Sequence, residues 1–128
     1  MLRKALATTA AFAFFAMPLA AQAAAAPAHN MGEEVTITGQ VIDLYCNTTQ
    51  GASGAAHKAC AEACAKAGEP LAILTGDGEV YMAVSSKAGG PQNPRLLPFV
   101  EGKVKVTGTH RMNHGVHTIE IKTVAAAT

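Results

Sequence analysis

The sequence has no tryptophan, two tyrosines and four phenylalanines. Phe12, Phe14 and Phe15 sit together near the start, which leaves Tyr45, Tyr81 and Phe99 for the rest of the chain. So few rings exclude the stacking platforms that hold single-stranded nucleic acids. Nor is there an excess of basic charge: 10 Lys and Arg stand against 9 Asp and Glu. Nucleic-acid binders need a basic stripe or patch, so that class falls away. No apolar run reaches the roughly 20 residues that span a bilayer. No C-x-x-C occurs, which removes a thioredoxin-like couple and the covalent attachment of a c-type haem. Gly76-Asp77-Gly78 marks a hairpin and not a phosphate cradle.

What is present begins with a pattern for export. Arg3 and Lys4 are a short basic segment, and Ala5 to Met17 is apolar until Pro18 breaks it. Ala21-Gln22-Ala23 then offers the small-x-small pattern that signal peptidase requires. The pattern predicts a signal peptide over 1–23, a flexible tail over 24–32 and one domain over 33–125. The alternative is a retained anchor, for which the run of about 13 residues is short. No cysteine lies near the cleavage site, so a lipoprotein anchor is not expected. The mature chain is then periplasmic or secreted, with no membrane attachment. Losing Arg3 and Lys4 leaves it near charge −1, and about 105 residues suffice for one modest core.

The mature part reads as mainly β. Val35 to Asp43 is β-branched and bounded by glycine; Leu71 to Thr75 and Glu79 to Val84 flank the Gly76-Asp77-Gly78 turn. Ser86 to Pro98 is a loop, with one short helical turn expected over 96–101. Lys103 to Met112 and Val116 to Val124 form the last hairpin. A two-residue loop at His114-Gly115 pairs His110 with Ile119 and Gly108 with Ile121, which puts both apolar faces on one side. One helix is expected over 55–67, capped by Ser53 or Gly54 and stopped by Gly68. Lys58, Glu62 and Lys66 give it a solvated stripe. This order predicts a five-stranded OB-type barrel with a helix inserted between strands 1 and 2.

Four pieces carry a likeness: Asp43-Leu44-Tyr45-Cys46; His57-x-x-Cys60-x-x-x-Cys64-x-x-x-Gly68; Gly78-Glu79-Val80-Tyr81; and Gly102 to Gly108. The chain resembles a group of small exported bacterial proteins with OB-like barrels. The resemblance implies the barrel and the cysteine pattern, and no substrate or activity.

The one constellation with chemical content is Cys46, His57, Cys60 and Cys64. On a helix Cys60 and Cys64 lie about 40° apart, and His57 is within about 60° of Cys60. Cys46, from the end of strand 1, would meet that face if the helix returned over the barrel. Three thiolates and an imidazole suit zinc, and soft sulfur also suits Cu(I). Exported proteins usually oxidise their thiols. A disulfide from Cys46 to Cys60 or Cys64, closing roughly 15 to 19 residues, would stabilise by about 3 kcal/mol and leave one thiol over. Both readings stay open. The first makes the protein an exported metal carrier or holder. The second makes it an interaction module that binds another exported protein. A reactive cysteine beside His57 is a third reading, without an oxyanion donor or orienting group to support it. Asp43 reads as a solvated strand-end carboxylate, the alternative being a partner that orients His57.

His110, Met112, His114 and His117 form a second group near the last hairpin. Two imidazoles and a thioether are ligands for copper. Exported OB-barrel copper and silver chaperones use histidine and methionine ligands, so the group is similar to theirs in residue type. The blander expectation makes His114 a turn residue and Met112 a core plug.

Overall fold

The computed structural model describes residues 32–128. The expected signal peptide and all of the following tail except Gly32 lie outside the described residues. β-branched residues drive the strands β1 (Glu33–Asp43), β2 (Leu71–Thr75), β3 (Val80–Val84), β4 (Lys103–Asn113) and β5 (Val116–Ala126). Their order is β1-β2-β3-β5-β4, and β4 returns to pair with β1 and close the barrel. Among the described strands β3 and β5 pair in parallel and the other pairs are antiparallel. This is the five-stranded OB-type barrel, with its helical insert between β1 and β2.

From Gly108 to Asn113 the last hairpin follows the register that the apolar pattern demands, and beyond Gly108 it shifts by one, so that Val106 faces Val124. Gly108 faces Ile121, and His110 faces Ile119. His114 and Gly115 both take positive φ, 52° and 78°, as a two-residue hairpin loop requires. A bulge lies between Thr107 and Gly108, where a Cβ on Gly108 would overlap the Glu120 carbonyl oxygen. The two strands can close there only because that side chain is missing. Val41, Ile73, Val104, Val106 and Ile119 are fully buried inside, with Ile121 nearly so. Leu96 and Val100 join this cluster from the β3–β4 connection, and Ala61 and Ala65 from the insert.

The insert differs from the single helix expected. It holds two helices, α1 (Leu44–Gln50) and α2 (Lys58–Ala67). α1 was hidden because Asn47, Thr48 and Thr49 are weak helix formers. It is started instead by Asp43, whose carboxylate accepts the Cys46 N–H at 2.9 Å. The Thr48 and Thr49 hydroxyls donate back to the Leu44 and Tyr45 carbonyls, each at 2.6 Å. α2 begins later than expected, and neither Ser53 nor Gly54 caps it; His57 holds that place without a side-chain cap bond. It ends at Gly68 as expected, where Gly68 and Glu69 donate to the carbonyls of Ala65 and Cys64.

The β3–β4 connection carries a short helix, α3 (Asn93–Leu96), and a 3-10 turn, Leu97–Phe99. The helical part therefore starts before residue 96, because Pro94 in its first turn has its φ already set for helix. Asn93 ties this segment to the insert. Its Oδ1 accepts from Leu71 N–H at 3.0 Å, and its Nδ2 donates to the carbonyls of Ala65 and Glu69.

Candidate metal centre

Cys46 is the third residue of α1 and is buried. His57 directly precedes α2, and Cys60 and Cys64 lie one turn apart on that helix. Ala61 and Ala65 turn to the core, so the two cysteines sit on the flank, with Cys60 exposed and Cys64 half-buried. There they meet α1. The ligand atoms of Cys46, His57 and Cys60 all lie within 4.8 Å of one another, and so do those of Asp43, Cys46 and Cys64. Donors on one tetrahedral zinc stand roughly 3.3–3.8 Å apart, so each group needs at most an ångström or so of side-chain adjustment to close on an ion. The four expected residues are thus divided between two groups, with Cys46 common to both and His57 and Cys64 in different ones.

His57 is fixed by a residue far along the chain. Its Nδ1–H donates to Glu101 Oε1 at 2.8 Å. Glu101 Oε2 accepts from Gly54 N–H at 2.7 Å and from Gln40 Nε2 at 2.6 Å. The Glu101 side chain is 1% exposed, so both of its oxygens are buried and engaged. With Nδ1 protonated, the lone pair of His57 lies on Nε2. That nitrogen is buried and has no hydrogen-bond partner. Carboxylate, imidazole and an open nitrogen in this order are the arrangement by which proteins orient a metal-ligating histidine.

Asp43 corrects an expectation. It is fully buried, not a solvated strand-end group. Oδ1 caps α1, while Oδ2 is buried without a partner. The D-x-x-C spacing carries the signal for this, since it is the spacing of a helix N-cap to the third residue. Glu101 had no such signal. It lies 44 positions from His57, at a φ of 60°, and only the closed barrel brings it there.

The second histidine group is arranged differently. His117 Nε2–H donates to Glu79 at 2.8 Å, and its Nδ1 accepts from His110 Nε2 at 3.0 Å. Tyr81 packs against both rings, at 5.2 and 5.0 Å. His117 therefore spends both nitrogens inside a hydrogen-bonded chain. Met112 faces His117 across the ladder but is 48% exposed, so it is not a core plug. His114 is a turn residue, as expected.

No family model, curated protein or solved structure matches this chain.

The chemistry of the first site follows from its burial. Desolvation pushes the Cys46 thiol up, helped by Asp43 and Cys60. Desolvation, then Cys60 and Asp43, push Cys64 up to about 11. Without a cation both sulfurs are protonated at neutral pH, which leaves neither as a ready nucleophile. A cation reverses this, since thiolates packed together are stable only when a positive charge neutralises them. All three cysteines are free thiols. The bridge from Cys46 to Cys60 or Cys64 is not formed, although Cys46 is within 4.8 Å of each.

Proposed function

We propose that this chain is an exported binding protein for one thiophilic metal ion, zinc or copper, held by Cys46, His57, Cys60 and Cys64. The observation that carries this reading is the His57 ring, tied at Nδ1 to a buried carboxylate and left with a buried Nε2 that bonds to nothing. A buried polar atom without a partner costs about 1–3 kcal/mol, so a site that keeps one needs a reason for it. Coordination supplies that reason. Three sulfurs and a nitrogen select zinc or Cu(I) over harder cations such as magnesium and calcium. Cys60 is exposed, which gives the ion a path to and from solvent and favours exchange over a sealed structural role. Export is part of the proposal. It is supported by the Arg3-Lys4 segment, the apolar run and Ala21-Gln22-Ala23.

Zinc competition against a chromophoric chelator tests this reading. Wild type should hold zinc tightly, and His57→Ala and Cys46→Ala should each weaken it by about 100-fold or more. Equal affinity in all three proteins, or no uptake by wild type, would contradict it.

A further inference from the structure

Four donors complete one tetrahedral ion, yet five converge here. Asp43 adds its carboxylate to the three sulfurs and the imidazole. The donors also do not form one shell. They fall into two groups of three that meet at Cys46, one with His57 and Cys60 and the other with Asp43 and Cys64. Each group contains one buried polar atom without a hydrogen-bond partner, the Nε2 of His57 in the first and the Oδ2 of Asp43 in the second. One ion bound by the cysteines and His57 would satisfy the first and leave the second orphaned.

Charge points the same way. Ligating thiols are deprotonated, so three thiolates and Asp43 carry four negative charges. Among the described residues, no ion pair links Asp43 to a lysine or arginine. Glu101 cannot turn inward to ligate, since both of its oxygens are already engaged. One divalent ion leaves two negative charges in a largely buried cluster, where unpaired charge is costly. Two divalent ions leave none.

We infer that the cluster holds two divalent, zinc-like ions bridged by the Cys46 thiolate, one also bound by His57 and Cys60 and the other by Asp43 and Cys64. This rests on the metal-binding reading above and extends it from one ion to two. A thiolate bridge sets ions a few ångströms apart, near the roughly 3.5–4 Å of known two-metal sites. Each ion then has three protein donors and one position for water or an incoming ligand.

The test is zinc stoichiometry by native mass spectrometry on wild type and Asp43→Asn. The variant keeps the cap on α1, because the asparagine side-chain oxygen accepts the same bond, and circular dichroism checks its fold. Wild type should saturate at two zinc ions and Asp43→Asn at one. Cys60→Ser and Cys64→Ser should each also retain one, because each loses a ligand from a different ion. Cadmium-113 spectra of wild type should show two resonances, both shifted by sulfur. Saturation of wild type at one zinc would overturn the second ion and leave the single-ion reading standing. No zinc in wild type would remove both. Two zinc ions in folded Asp43→Asn would overturn the role given to Asp43.

Discussion

The Nδ1 of His57 stands 2.8 Å from the Oε1 of Glu101, and this contact joins the helical insert to the turn just before β4. Glu101 also receives the Gly54 N–H and the Gln40 amide. A single carboxylate therefore sets the loop before α2, the tautomer of His57 and the direction of its free nitrogen. Replacing it with glutamine keeps the shape and removes the charge. Glu101→Gln should weaken zinc binding by about 10–100-fold while the far-ultraviolet circular dichroism stays that of wild type. A chelator competition titration checks this.

The cap on α1 can be separated from the charge on Asp43. Asp43→Ala removes the acceptor of the Cys46 N–H and should cost the metal-free protein about 0.5–2 kcal/mol. Asp43→Asn keeps that acceptor and should cost less than Asp43→Ala. Urea unfolding of both variants in the presence of chelator gives the comparison.

The pH dependence of the metal-free fold follows from the Cys64 thiol. Its pKa rises on folding from an ordinary 9.0 to about 11, so the folded state holds the proton more tightly than the unfolded chain. The stability tied to this group is fully present below pH 9.0 and is lost as pH rises towards about 11. The melting temperature should fall across that window with chelator present, and less steeply in Cys64→Ser. Zinc should shift thiol ionisation to lower pH, so loading an unbuffered sample should release protons.

The barrel closure has its own weak point. Gly108 lies at the bulge, and a Cβ there meets the Glu120 carbonyl and the Ile119 side chain. Gly108→Ala should destabilise the protein by about 1–3 kcal/mol through forced separation of β4 and β5. Thermal unfolding measures it, and a loss in Gly115→Ala that spares the core packing is the control for turn strain.

The tip of the last hairpin, Gly108 to Asn113, was legible in the sequence because strand side chains alternate with a period of two and a two-residue loop sets the pairing, whereas the shift at the bulge beyond Gly108 was not. Gly68 marked the end of α2 for an equally local reason. The approach of Cys46 to Cys60 and Cys64 was legible in outline from helical spacing, although Cys46 lies on α1 and not at the end of β1 as expected. α1 was not, since its start depends on a cap and its residues argue against a helix. The buried state of Asp43 followed from that missed helix. Glu101 lay beyond reach for another reason: its partner His57 is 44 positions away, and no periodicity records a pairing that only the closed barrel creates.

The proposed binding of metal by Cys46, His57, Cys60 and Cys64, in place of a disulfide between two of the cysteines, is tested most directly by the mass of the protein isolated without chelator or reductant, measured native and again after alkylation under denaturing conditions. A native excess of bound metal that disappears on denaturation, with all three cysteines alkylated, is the expected result. No native excess, one alkylated cysteine and a mass about 2 Da below the reduced value would contradict it and show a disulfide in its place.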